Sequence, residues 1–172
     1  MNLIFSADAQ WGLGKENGLL FRVPADMRSF KEKTTNGVVI MGRKTLDSLP
    51  GGRPLPARIN VVLTRSGKLC QASDALLVCR DLQSLAKTLE TLAMPTERIW
   101  VIGGAEIYRL LLPYCQEAFV TRFLTTGAAD CFIENLDEAA GWALAGQGEV
   151  QSWEGLAYRF DRYVQRMPAV LE

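Results

Sequence analysis

Gly37-Val38-Val39-Ile40-Met41-Gly42-Arg43-Lys44-Thr45 sets a run of large apolar residues directly before two cations and a hydroxyl. A run without polar alternation reads as a strand buried on both faces. Sheets of that kind are mostly parallel and carry helices on either side, so this stretch decides the fold class. Arg43-Lys44-Thr45 then opens a short helix to about Leu49. Two cations and a hydroxyl thus sit at a helix start, where backbone N–H groups already favour anions.

Downstream, strand and helix alternate. Pro50 to Pro56 is a turn-rich loop, and Arg58 to Thr64 is a strand ending in Arg65-Ser66-Gly67. Ala75 to Cys79 is another strand. Asp81 then caps a helix whose Leu82, Leu85, Leu89 and Leu92 recur at helical spacing. Arg98 to Ile102 is a strand closed by Gly103-Gly104, and the helix from Ala105 to Leu112 is stopped by Pro113. Glu117 to Leu124 gives a further strand. Two more, near 144–153 and 156–165, finish the chain, the last partly alternating at Leu156, Tyr158 and Phe160. The helix-free tail is expected to add antiparallel strands at one edge.

Upstream, Asn2 to Ala7 reads as a buried central strand. Gln10 to Gly18 holds three glycines and is too polar and broken for a regular element; a long, mobile loop is expected, and such loops are often lids. It leads into a helix from about Pro24 to Thr34, with proline suited to the first turn and Asn36-Gly37 as the stop. On that helix Asp26 and Phe30 lie four apart on one face, with Met27 beside them. One reading of Asp26 is a charge that complements the helix dipole. The other is an acid in a ligand pocket. In all, the chain is expected to be α/β: one domain over 1–172 in three layers, helices on both faces of a mixed, mostly parallel eight-stranded sheet with about four helices.

Composition narrows the chemistry. The 172 residues suit a single domain, 48% of them are apolar, and 19 basic residues balance 19 acidic ones. That balance gives no reason to expect a nucleic-acid or membrane-surface partner. No apolar run approaches the length of a membrane span, and residues 1–8 lack signal-peptide features. The four cysteines are far apart without a C-x-x-C pair, so reduced thiols in a cytoplasmic protein are expected. The chain has no histidine. That removes Ser-His-Asp and Cys-His machinery and the usual zinc sites, so catalysis must rest on carboxylates, hydroxyls, cations or a cofactor; no metal is expected.

Three strand ends suit phosphate: Arg43-Lys44-Thr45, Thr64-Arg65-Ser66, and Gly103-Gly104 before a helix. Each alone is weak, because cations and glycines are common at turns. In a parallel sheet the strand C-terminal ends are where ligands gather, so three together point to a dinucleotide. The G-x-G-x-x-G fingerprint is absent, which disfavours a standard Rossmann domain.

Over nearly its whole length the chain resembles the dihydrofolate reductase family. The pieces that carry the resemblance are Val23-Pro24-Ala25-Asp26 with Phe30 and Thr34, Val39-Ile40-Met41-Gly42-Arg43-Lys44-Thr45, and Gly52-Arg53-Pro54-Leu55-Pro56-Ala57-Arg58. Val101-Ile102-Gly103-Gly104 with Tyr108, and Tyr158-x-Phe160, complete the set. The resemblance implies reduction of 7,8-dihydrofolate to 5,6,7,8-tetrahydrofolate with NADPH, supporting one-carbon and thymidylate metabolism. It implies Asp26 as the acid of the pterin pocket, Thr121 as its hydroxyl partner and Phe21 beside them. Ile4, Ala7, Met27, Phe30, Lys31, Leu49, Arg53, Leu55, Ile102 and Tyr108 would bind substrate, and Arg58 would hold its glutamate α-carboxylate.

For the cofactor it implies Ala7, a lid over the nicotinamide containing Leu13, Gly14, Asn17, Gly18 and Leu19, and the positions Gly42, Arg43, Lys44, Thr45, Leu63, Thr64, Arg65 and Arg80. Ile102, Gly103, Gly104, Ala105, Glu106, Ile107 and Tyr108 complete that set, with a cis Gly103–Gly104 peptide and an adenosine-binding lobe over about 38–96. Partners would be dihydrofolate and antifolate inhibitors, and the chain a monomer. The sequence departs from the family in having Leu20-Phe21 for Pro-Trp, Leu19 for a common methionine, and no proline after the aromatic of 129–134. A related reductase of a pyrimidine intermediate in riboflavin synthesis generally lacks the Pro-x-Asp acid and the Arg58 clamp. A non-catalytic NADPH-binding protein would have no use for Asp26, Thr121 and Arg58.

Overall fold

The computed structural model describes residues 1–66 and 75–172. Gly67 and Cys70, read above as a turn and a reduced thiol, lie outside the described residues. In chain order the elements are β1 (Asn2–Ala7), β2 (Gly12–Lys15), β3 (Gly18–Leu19), α1 (Pro24–Thr34), β4 (Val38–Gly42), α2 (Arg43–Ser48), β5 (Ile59–Leu63) and β6 (Leu76–Cys79). They continue as α3 (Leu82–Leu92), β7 (Ile99–Gly103), α4 (Ala105–Leu111), β8 (Glu117–Phe123), β9 (Cys131–Phe132), β10 (Trp142–Gln147), β11 (Gln151–Trp153) and β12 (Leu156–Gln165).

The main sheet runs β10-β12-β8-β1-β7-β4-β5-β6. From β8 to β6 every pairing is parallel, and β12 joins β8 antiparallel. The strand expected over 144–153 is two strands, β10 and β11, both paired to β12. Between them the Gly148 N–H donates to the Phe160 carbonyl at 2.8 Å. Eight positions across a mixed, mostly parallel sheet, with four α-helices, fit the expected fold.

Parallel strands buried on both faces need two cores, and β4 supplies both. Val38 and Ile40 join one cluster, with Leu85 of α3 and Leu111 of α4. Val39 and Met41 face the other, with Leu46 of α2 and Phe30 of α1. Asp81 closes a capping box at α3: its side chain accepts from the Ser84 N–H at 2.7 Å, and the Ser84 hydroxyl accepts from the Asp81 N–H.

Residues 10–18, expected as irregular loop, contain a short hairpin. β2 pairs antiparallel with β3, and β9 pairs on its other edge. Asn17, at φ 63°, turns the chain between the two short strands.

Candidate active site

α1 begins at Val23 without a side-chain cap, and Pro24 occupies its first turn. Two residues on, Asp26 turns towards β8, where the Thr121 hydroxyl donates to Asp26 Oδ1 at 2.7 Å. Burial pushes the Asp26 carboxyl above its usual range, and the Thr121 hydrogen bond only partly offsets this. A carboxylate serving the helix dipole would be favoured in its charged form; this one is disfavoured.

That difference is measurable. A carboxyl whose folded pKa is raised costs stability once pH rises above the unfolded value of 3.8. Asp26→Asn removes the charge and keeps an oxygen that can accept from Thr121. The variant is expected to be at least as stable as wild type at pH 7, its advantage fading below about pH 4 as unfolded aspartate protonates. Denaturant titrations across pH test this; a loss of about 0.3–1 kcal/mol at pH 7 would restore the dipole reading.

Strand register builds the pocket floor. β1 and β8 pair with Ile4 beside Phe119 and Ser6 beside Thr121. Ile4 joins the cluster beneath α1 and α2, against which Phe30, Leu49, Leu55 and Ile102 all pack partly buried. These five expected pocket residues are therefore brought together. Ala7 is not among them: its side chain is buried in the opposite cluster with Phe5. Side chains alternate along a strand, so the neighbour on Ile4's face is Ser6, which the sequence reading missed. Counting by two from Ile4 would have found it.

Met27 and Leu19 expose 45% of their surface each, apolar area open to a ligand. Lys31 and Arg53 are exposed. Phe21 packs on Phe123 with ring centroids 4.8 Å apart. It carries no group that moves a proton, so its part is packing. Tyr108 is buried, donates its hydroxyl to the Ile4 carbonyl at 2.9 Å, and is held strongly in its neutral form by burial and the nearby Asp26.

Arg58 is aimed by three contacts. Its Nε donates to Thr34 Oγ1 at 2.8 Å, one Nη donates to the Pro56 carbonyl at 2.6 Å, and the guanidinium lies 6.0 Å from the Phe30 ring centroid. Its other Nη has no partner among the described residues. The loop that presents Arg58 and Leu55 is stapled by Asn60, which is fully buried. Asn60 Oδ1 accepts from the Leu55 N–H, and its Nδ2 donates to the carbonyls of Leu55, Arg58 and Ala75. Sequence spacing gives no sign of this, because an asparagine in a strand looks like a surface residue.

The ends of β4 and β7 meet. A Cβ on Gly42 would lie 3.0 Å from Ile107 Cγ1, and one on Gly103, at φ +112°, only 2.9 Å from Tyr108 Cε2. Gly104 lies beside Thr45, and the Gly103–Gly104 peptide is cis. At Gly42 and Gly103 the missing side chain is what lets Ile107 and Tyr108 pack against the two strand ends. α2 and α4 are short, so the cations matter more than helix dipoles. Lys44, Arg65 and Arg80 are exposed, Thr45 and Thr64 half-buried, and Arg43 shares an exposed 3.3 Å ion pair with Asp47. Such a pair is weak and open to exchange for a phosphate. Ala105 and Ile107 are half-buried in the first turn of α4 and Glu106 is exposed, whereas the Leu63 side chain belongs to the core.

The β2–β3 hairpin spans this cleft. Asn17 Nδ2 donates to the Lys44 carbonyl at 2.8 Å, and the Glu16 N–H donates to Asp130 Oδ2 at 2.8 Å. At its base Asp8, buried, accepts from the N–H groups of Gln10, Gly12 and Gly127. Leu13 anchors the hairpin in the core, and Gly14 and Gly18 lie in its two strands. Gly14, Gly18 and Leu19 therefore ride on a tethered flap.

Fold and site together define an α/β protein whose parallel strand ends gather cations and glycines, with one half-buried acid on α1. A family model described as dihydrofolate reductase matches residues 1–165. The chain is 35% identical to the dihydrofolate reductase of Mycobacterium leprae over 167 residues, covering 95% of this chain and 96% of that one. It is 33% identical to that of Bacillus subtilis over 168 residues, covering 96% and 95%. It is also 39% identical to the bifunctional dihydrofolate reductase-thymidylate synthase of Daucus carota over 153 residues. That match takes in 80% of this chain but only 28% of the longer one. The chain spans about a quarter of the length of such bifunctional relatives. Among solved structures, a dihydrofolate reductase from Enterococcus faecalis complexed with NADP(H) and RAB-propyl matches at a TM-score of 0.77, 27% identity and 95% coverage of both chains. The chain belongs to the dihydrofolate reductase family.

Proposed function

We infer that this chain reduces 7,8-dihydrofolate to 5,6,7,8-tetrahydrofolate with NADPH. The observation that carries the reading is Asp26, held by Thr121 beside the apolar floor of Ile4, Phe30, Leu49, Leu55 and Ile102. When bound, NADPH supplies the hydride. Arg43, Lys44, Thr45, Thr64, Arg65 and Arg80 would hold its phosphates and adenosine, within a lobe over about 38–96. The strand ends at Gly42, Gly103 and Gly104 would take the rest. The hairpin, tied to Lys44 through Asn17, excludes water from above.

Asp26 accepts from the amino-pyrimidine edge of the pterin and favours a proton at the ring nitrogen next to the carbon that receives hydride. Water carries that proton. Arg58 turns its free Nη and its charge to the glutamate α-carboxylate of the substrate, while Thr34 and Pro56 fix its plane. Antifolates would occupy the same cleft. The balance of 19 basic and 19 acidic residues supports small-molecule partners without nucleic acid, and we take the chain to act as a monomer in the cytoplasm. Among the described residues no helix is long and apolar enough to cross a membrane.

The test is NADPH oxidation followed with 7,8-dihydrofolate, with a riboflavin-pathway pyrimidine, and with neither. Oxidation is expected only with dihydrofolate; turnover of the pyrimidine instead would overturn the reading. The cluster of Arg43, Lys44 and Arg65 further favours a cofactor bearing an extra phosphate, each charge-assisted bond adding about 1.5–3 kcal/mol. NADPH is expected to exceed NADH by at least about tenfold in kcat/KM. Equal use of the two would remove that role from the cluster.

A further inference from the structure

A cavity of about 520 Å³ opens beneath α1, between Ser29 and Lys33 of the helix and Phe119, Phe160 and Arg162 of the sheet. It touches the substrate pocket only at Ile4, Asp26, Phe30 and Thr121. Leu49, Leu55, Arg58, Ile102, Tyr108 and the phosphate-binding strand ends are absent from its walls. Four of its fifteen lining residues are thus shared with the substrate pocket, and the other eleven are not.

Two features of the chain hollow it out. Thr34 is the sole fully buried residue of α1, and at mid-helix the small Ser29 leaves the space beneath unfilled. On the far wall β10 bulges. Leu144 pairs with Tyr163 and Gly146 with Arg162, so Ala145 has no cross-strand partner and the sheet edge bends away. The volume lies within the range of small-molecule sites.

Its chemistry selects an occupant. The walls offer the rings of Phe30, Phe119 and Phe160. Of the acids, Asp161 is engaged through both oxygens by Arg159 Nε at 2.9 and 3.0 Å, and Asp26 by Thr121. Of the cations, Lys33 lies 5.4 Å over the Phe119 ring with no carboxylate partner among the described residues. Arg162 is held only loosely, 3.7 Å from Glu117 and half exposed. Aromatic walls with available positive charge match a flat ring bearing an anionic group.

We propose that this cavity is a second small-molecule site, taking an aromatic carboxylate or sulfonate that lies against Thr121 and Phe119. An occupant there touches the residue that holds Asp26, so it inhibits without competing with dihydrofolate. Binding and inhibition are thus two faces of one coupling.

The probe is 1-anilinonaphthalene-8-sulfonate, a ring system with one anionic group, titrated into the full chain saturated with folate and NADP⁺. One site is expected, with Kd on the order of tens of micromolar for a ligand of that size. Ser29→Trp should weaken it at least tenfold by filling the cavity, and the surface change Lys33→Glu at least threefold. Both variants should keep dihydrofolate turnover within twofold of wild type. Saturating probe should lower wild-type kcat at least twofold at unchanged KM for dihydrofolate, an effect lost in Ser29→Trp.

Displacement of the probe by folate, or undiminished binding in both variants, would overturn the proposal, as would no binding at all. Binding without change in kcat would overturn the coupling through Thr121. The variant measurements read the cavity whether or not folate occupies the cleft, so they stand apart from the assignment of the reaction.

Discussion

Asp26→Asn is expected to lose at least about a hundredfold in single-turnover hydride transfer at pH 7, the lower end of what a positioned acid–base group supplies. Folding and NADPH binding should survive. Asparagine can still accept from Thr121. What is lost is a charge that favours the protonated substrate. The residual rate should therefore rise as pH falls, because solvent then protonates the substrate and the missing carboxylate matters less. Single-turnover measurement is needed because product release can hide the chemical step. A near-wild-type rate at pH 7 would take Asp26 out of the mechanism.

Arg58→Ala should weaken dihydrofolate about tenfold to a hundredfold, the worth of one charge-assisted hydrogen bond at about 1.5–3 kcal/mol. A reduced pterin without the glutamate tail should be almost unaffected. The selectivity matters more than the size of the loss. Arg58 also accepts structural duty, since its Nε contacts Thr34 and its Nη the Pro56 carbonyl. If those contacts held the loop, both substrates would suffer alike. Asn60 already fixes that loop from below by three hydrogen bonds, with a fourth to the Ala75 carbonyl, so the tail-specific loss is the expected result.

Much of the fold was legible because its decisive elements are locally consistent. The unbroken apolar runs of β4 and β5 can only be strands of a sheet covered on both sides. Asp81 and the leucines of α3 state a capped, one-sided helix within their own few residues. The hairpin of β2 and β3 was not legible: its strands are four and two residues long and glycine-rich, and it is held from outside. Asp130 reaches Glu16 across 114 positions and Gly127 reaches Asp8 across 119, distances at which residue type alone says nothing. The break between β10 and β11 rests on a backbone bond from Gly148 to Phe160 that leaves no mark in composition.

The site was legible to the same degree. Asp26, Phe30 and Thr121 were singled out, and the structure joins Asp26 to Thr121 by hydrogen bond. The placing of Ala7 and Ser6 shows how narrow the margin is. A one-residue step along a strand moves a side chain from one face of the sheet to the other, and the register sets Ser6, not Ala7, beside Thr121. The cavity under α1 was invisible, because a serine in a helix reads as an exposed residue until the sheet beneath it is known to bulge.

The account stands or falls on whether a hydride passes from NADPH to dihydrofolate in this cleft. The direct measurement is one turnover with NADPH deuterated at the transferring position, followed by mass analysis of the folate product. The account predicts one deuterium in each tetrahydrofolate formed, with no NADPH oxidation when dihydrofolate is withheld. Tetrahydrofolate without deuterium, or NADPH oxidised equally well with no dihydrofolate present, would contradict it.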